Sequence, residues 1–281
     1  MNNKELYWYR KWEEAAGKST FTNIYPKVEI CWDNSAATYD LGMGKSMDRV
    51  EIVMEELEKL GFYKGSLKNI LDIGSGTGTY TIPLAGLAES VTALDCSEKM
   101  NACLKKKMHA MNIKNVRTLT ADFLQYEFNN SFDLVLGSMN PALYNPFAFE
   151  KMLGLANKLL VYVGVIQSLL SSSSDKRTLE EMLFHVKLTH GKSNDIKFPY
   201  ELLKAKGFKP YIREVDCKWD YKERMEQAFS ELKEMYKQLN PCEENWEELL
   251  KSYIEQISED NYIVRKGNYR LGVLFCVLEK T

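Results

Sequence analysis

Between residues 66 and 168 short, nearly continuous apolar runs alternate with stretches of helical spacing, and this alternation limits what the chain can fold into. NILDIG (69–74), SVTALD (90–95), VRTLTA (116–121), FDLVLGS (132–138) and LLVYVGVIQS (159–168) read as strands. Unbroken apolar runs of this length suit parallel strands covered on both faces. The segments between them, TYTIPLAGLA, SEKMNACLKKKMHAMN and PFAFEKMLGLANK, have helical spacing, with Ser97 placed as an N-cap and Glu98 in the first turn. Strand–helix–strand units of this size connect by right-handed crossovers, so the expected fold is α/β with a doubly wound, mostly parallel sheet.

Further along, FPYELLKAKGF reads as a short helix ending at Gly207 and KPYIREVDCKW as a sixth strand. A helix is expected near 178–188, and two amphipathic helices at about 221–239 and 244–257. The closing segment, IVRKGNYRLGVLFCVLE, reads as a hairpin or strand pair turning at Lys266-Gly267-Asn268. Residues 1–60 are aromatic-rich and end in a helix, MDRVEIVMEELEKLG. With no Pro/Gly/Ser-rich linker after them, they read as a cap folded onto the carboxyl edge of the sheet.

The sharpest chemical signal is LDIGSGTGTY (71–80). A strand ends at Ile73, glycines stand at 74, 76 and 78, and a helix follows at once. In open α/β sheets ligands bind outside the carboxyl ends of strands, where glycine lets backbone approach them. The dinucleotide pattern Gly-x-Gly-x-x-Gly fails at Thr79, and the lysine of a phosphate-gripping loop is missing. Two acids add information. Asp95 ends the second strand, 19 residues after Gly76, where a carboxylate accepts from both hydroxyls of a ribose. Asp72 puts an anion beside the loop, which suits a ligand with an amino group better than one with a pyrophosphate.

LDIGSGTGTYTIPLA, VTALDCSEKM, TADF and FDLVLGSMNP, in this order and at these intervals, resemble class I S-adenosylmethionine-dependent methyltransferases over about residues 66–168. The resemblance implies a seven-stranded Rossmann-like sheet of order 3-2-1-4-5-7-6 with the seventh strand antiparallel. It implies one domain over 1–281, with a cap at 1–60, a core at 66–219 and 260–281, and a helical insertion at 220–259. It also implies S-adenosyl-L-methionine as cofactor. Gly74, Ser75 and Gly76 would line the methionine moiety with Asp72 beneath its amino group. Asp95 would hold the ribose diol, and Cys96 would lie beside the adenine. Asp122 would accept from the adenine amino group, Phe123 would offer backbone or an apolar face, and Ser138 would lie near the methyl group. Asp122 equally has the position of a helix N-cap. By the same similarity Tyr39, in CWDNSAATYDLGM, would lie over the methionine carboxylate; Trp32 reads better as a packing residue that staples the cap to the sheet.

GSMNPALYNP (137–146) follows the fourth strand, where related enzymes carry an Asn-Pro-Pro-Tyr box that grips an amino group. Here Ala142 replaces the second proline and Leu143 is inserted. The stretch reads as a strand exit with a helix starting at Pro146, or as a substrate wall carrying Asn140 and Tyr144. No catalytic base is assigned: His109 reads as a surface residue, and His190 is a better candidate than His185.

The expected activity is methyl transfer to a small-molecule acceptor. A protein or nucleic-acid acceptor, or a cofactor-binding module without turnover, are the alternatives. Net charge is −2, with lysines scattered and not clustered, so neither nucleic acid nor a membrane surface is expected as partner. The N-terminus lacks the apolar core of a signal peptide, and the longest apolar run is too short for a membrane span. The six cysteines form no paired or metal-ligand spacing, so no metal is expected, and reduced thiols suit a cytoplasmic protein. Oligomeric state and acceptor identity stay open.

Overall fold

A computed structural model describes residues 1–18, 28–168, 179–185 and 193–278 of the 281-residue chain. Five parallel strands, β1 (Leu67–Ile73), β2 (Ala88–Asp95), β3 (Val116–Thr120), β4 (Phe132–Ser138) and β5 (Ala156–Ser168), are joined by β6 (Tyr211–Arg224) and β7 (Tyr262–Val277). The order is β3-β2-β1-β4-β5-β7-β6, with β7 antiparallel to both neighbours. This is the expected sheet. β1 and β4 sit at its centre, and their buried stretches, 70–73 and 132–137, are apolar apart from Asp72 and Asp133.

The helices are α1 (Asn3–Gly17), α2 (Val28–Ser35), α3 (Asp48–Lys59), α4 (Thr81–Leu84), α5 (Glu98–Ala110), α6 (Pro146–Leu155), α7 (Leu179–Leu183), α8 (Lys197–Ala205), α9 (Met225–Leu239) and α10 (Trp246–Ile257). One core lies between the sheet and α1, α6 and α8, and contains Trp12, Phe149, Leu160, Leu203 and Leu274. A second core lies on the opposite face under α3 and α4, around Val53, Leu57, Leu84, Leu134 and Phe275. A third, smaller cluster joins α7, α9 and α10 to Ile263 of β7. Among the described residues, no helix is long and apolar enough to cross a membrane.

Two expectations change. The last segment is no hairpin: β7 runs unbroken for 16 residues, and Trp219 of β6 pairs opposite Gly267. A side chain at 267 would collide with the indole of Trp219, so the glycine serves close packing and makes no turn. The first sixty residues also divide into parts. Trp12 of α1 is fully buried, stacks on Phe198 at 5.8 Å and donates its indole N–H to Ser193 O at 2.8 Å. Asn2 reaches Ala205 O at 2.9 Å. Helix α1 is therefore part of the layer on one sheet face. Helix α3 covers the other face, where Glu56 meets Tyr211 and Arg213 of β6. Between them, Trp32, Tyr39 and Asp40 reach the carboxyl edge.

The register also fixes how far the ribbon extends. β5 pairs with β7 up to Ser168↔Tyr269, while β6 and β7 continue pairing to Arg224↔Tyr262. The β6–β7 ribbon thus passes beyond the carboxyl edge of the sheet and carries α9 and α10 with it.

Candidate active site

The carboxyl edge is shaped first by the turn after β1. Gly74 and Gly76 have φ of +73° and +53°, the left-handed region that glycine adopts without cost. The Gly74 and Ser75 amides donate to Leu94 O at 2.7 and 3.0 Å, so the loop hangs on the end of β2. A side chain at 74 would collide with the amide of Asn140, which packs directly on the loop.

Asp95, at the end of β2, is 7% exposed. Its Oδ2 accepts from the Gly76 amide and its Oδ1 from the Ser97 amide, both at 2.8 Å. Burial raises its pKa while these two amides oppose the rise. Each carboxylate oxygen keeps lone pairs for a further donor. Asp72 lies behind the loop instead of in the cleft. It is buried, accepts from Thr81 Oγ1 at 2.5 Å, and burial pushes its carboxyl up to about 7.

The middle of the N-terminal segment is anchored onto this floor by two acids. Asp33 accepts from Ser97 Oγ at 2.5 Å and from the Lys99 amide at 3.2 Å, at the start of α5. Asp40 accepts from Thr77 Oγ1 at 2.6 Å and pairs with Lys107 at 2.6 Å. The Tyr39 ring is thereby held over the glycine loop, edge-on to Trp32 with ring centroids 6.5 Å apart. Burial raises the Tyr39 pKa, so its hydroxyl is neutral.

One cleft of about 660 Å³, open mouth included, runs along this edge. Of the residues expected from the sequence, Tyr39, Gly74, Gly76, Asp95, Cys96, Asp122, Phe123, Ser138 and Asn140 line it. Ser75 and Asp72 are buried behind the loop; the Ser75 hydroxyl has no hydrogen-bond partner. Asp122 accepts from the Leu124 and Gln125 amides through Oδ1, closing a turn and capping no helix, since none follows it before β4. Asp122 also borders the cleft.

Tyr144 is the exception. The Leu143 side chain fills the space above Gly137 and is fully buried, while Tyr144 lies beside Asn194 and Tyr39 and is not among the residues lining the cleft. Asn140 caps the short turn Pro141–Leu143 by accepting from the Ala142 amide at 3.0 Å, and Asn145 caps α6 in the same way. Just before them Met139 has φ of +50°, an uncommon conformation for a side chain of its size. The stretch is thus a strand exit whose backbone also forms one end of the cleft.

Trp32, Leu94, Met100, Met139 and Pro141 line the cleft as well and were not expected there. Trp32 packs edge-on to Tyr39, as expected of a packing residue, and also borders the cleft. Arg49 is the one basic side chain of the described residues that is buried, with its guanidinium 5.9 Å from the Tyr80 ring and donating to Ser46 O at 2.6 Å. Nothing in its helical pattern singled it out. His109 is exposed on α5, and His185 pairs with Glu243 at 2.7 Å at the surface. His190 lies outside the described residues.

Residues 70–164 match a protein family described as a methyltransferase domain. Protein-L-isoaspartate O-methyltransferase of Vibrio campbellii is 28% identical over 134 residues, 47% of this chain and 62% of that protein. An uncharacterized protein of Methanocaldococcus jannaschii is 29% identical over 138 residues, 48% of this chain and 34% of that one. The chain thus spans less than two thirds of the length of these relatives. Magnesium protoporphyrin IX methyltransferase of Synechocystis, solved with S-adenosylhomocysteine, aligns over 83% of both chains at 17% identity and a TM-score of 0.49.

Proposed function

We propose that the protein, whose residues 70–164 match a methyltransferase-domain family, transfers a methyl group from S-adenosylmethionine to a small-molecule acceptor. The observation that carries the reading is Asp95: a nearly buried carboxylate at the end of β2, fixed by two backbone amides, bordering the cleft with lone pairs to spare. A ribose diol supplies the donors it lacks.

The other residues fit the same cofactor. Cys96, Met100, Asp122 and Phe123 all line the cleft near Asp95 and would lie against the adenine. The Gly74–Gly76 backbone leaves room for the methionine chain, and the unpartnered Ser75 hydroxyl beneath it supports a polar ligand there. Asp72, close under the loop, would face an ammonium group. The cofactor supplies an electrophilic sulfonium methyl when bound.

What the chain itself must do is orient the acceptor in line with that methyl and keep water out, which accounts for about 7–11 kcal/mol in well-oriented systems. Tyr39 and Trp32 close one side of the cleft, and Ser138–Ala142 close the end where the methyl would point. The net charge of −2 supports a small or neutral acceptor over a polyanion. The experiment is release of S-adenosylhomocysteine on incubation with fractionated metabolite pools. Release supports an enzyme with a small acceptor. Tight cofactor binding with no release from any pool supports a binding module and contradicts the small-molecule reading.

A further inference from the structure

The strand at the end of the sheet carries its charges in a self-complementary order. β6 has β7 on one side only, and among the described residues the backbone of 211–223 makes no hydrogen bond to other backbone apart from that ladder. Its side chains alternate between faces. Odd-numbered positions from Val215 to Glu223 are buried or half-buried, while Glu214, Asp216, Lys218, Asp220, Lys222 and Arg224 are exposed on the other face. Asp216 pairs with Arg270 of β7 at 2.8 Å, and the other five make no ion pair among the described residues.

An unpaired edge is a template for another strand, and charged side chains are the usual guard against such pairing. Here the charges guard against every partner but one. Along the exposed face the signs run negative, negative, positive, negative, positive, positive, an order that reverses into its own opposite. A two-fold axis normal to the sheet pairs two copies antiparallel and keeps each face with itself. With the axis at Trp219, Glu214 meets Arg224, Asp216 meets Lys222 and Lys218 meets Asp220 of the second copy. Directly opposed side chains of this kind attract or repel one another, so register matters. Centred on 218, Lys218 would face itself and Asp216 would face Asp220. Centred on 220, Asp220 would face itself and Lys218 would face Lys222. On the other face the centre is apolar: Trp219 stacks with Tyr221 at 6.1 Å, both rings lie against Gly42, and Leu41 next to it is 50% exposed. We propose that the chain associates with a second copy of itself along β6, antiparallel across a two-fold axis at Trp219, making one continuous sheet. The inference stands independently of the cofactor reading of the cleft.

The test is sedimentation velocity of the full chain over a micromolar concentration series. Wild type should form a dimer that weakens as salt is raised. Lys218→Glu and Asp220→Lys each turn two attractive contacts across the axis into two repulsive ones, and each alone should weaken self-association at least about tenfold. An equimolar mixture of the two variants restores opposite charge at every pair, so it should recover a dimer of nearly wild-type strength. A second measurement uses wild type alone: amide exchange within 214–224 should slow as concentration rises, and it holds even if a variant folds poorly. A wild-type chain that stays monomeric throughout the series would overturn the proposal. So would a dimer indifferent to both substitutions, a mixture that fails to recover, or exchange in 214–224 that does not change with concentration.

Discussion

Asp72→Asn separates what Asp72 does for the fold from what it does for a ligand. The carboxyl is buried beneath the glycine loop with one hydroxyl donor, Thr81, and burial is the main cause of its rise from an ordinary 3.8 to about 7. At about 1.4 kcal/mol per pH unit, that rise means the ionised form costs the folded chain about 4 kcal/mol. The sign follows: the folded chain holds the proton more tightly than the unfolded one, so stability is greatest below pH 4 as far as this group is concerned. It is lost as pH rises from about 4 through 7. Asparagine keeps an acceptor for Thr81 and carries no charge. The variant without ligand should therefore be more stable than wild type at pH 8, by about 2–4 kcal/mol, and the difference should vanish near pH 4. Denaturant unfolding across that range measures both. S-adenosylhomocysteine binding should move the opposite way, weakening about 10- to 100-fold as the charge-assisted contact to an ammonium group is lost. An Asp72→Asn chain less stable than wild type at pH 8, with binding intact, would refute the placement of Asp72 as an uncompensated buried acid serving the ligand.

Other outcomes follow from the packing. Trp12→Ala should cost about 3–5 kcal/mol in chemical unfolding, since a fully buried indole with its N–H on Ser193 O is lost. Gly267→Ala should cost about 1–3 kcal/mol by forcing Trp219 off the ribbon, readable in near-ultraviolet circular dichroism. Asn140→Ala removes a cap worth about 1 kcal/mol and the amide resting on Gly74. Turnover should fall at least tenfold with S-adenosylhomocysteine affinity within about threefold, whereas unchanged turnover would leave Asn140 a structural role only.

The strands and the glycine loop were legible because burial on both faces writes itself as continuous apolar runs, and because only glycine serves consecutive left-handed turns. The cleft-lining positions Gly74, Asp95 and Ser138 were legible as positions because they stand at or just after the carboxyl ends of β1, β2 and β4. What was not legible depended on contacts distant in sequence. Helix α1 docks on residues 193–205, and nothing in NKELYWYRKWEEAAG distinguishes that partner from the carboxyl edge. Gly267 was misread because a glycine that admits a neighbouring indole and a glycine that makes a turn look alike in sequence. The surroundings of Tyr144, beside Asn194 and Tyr39, were not legible either, because they depend on contacts distant in sequence.

The central claim is that Asp95 holds a ribose diol. Calorimetric titration of the full chain with S-adenosylhomocysteine, for wild type and Asp95→Asn, tests it directly, with NADH as a control ligand. The account predicts micromolar-range binding to wild type, a loss of at least about 30-fold in Asp95→Asn as charge-assisted hydrogen bonds disappear, and no binding of NADH. Equal affinity in the two proteins, or a preference for NADH, would contradict it.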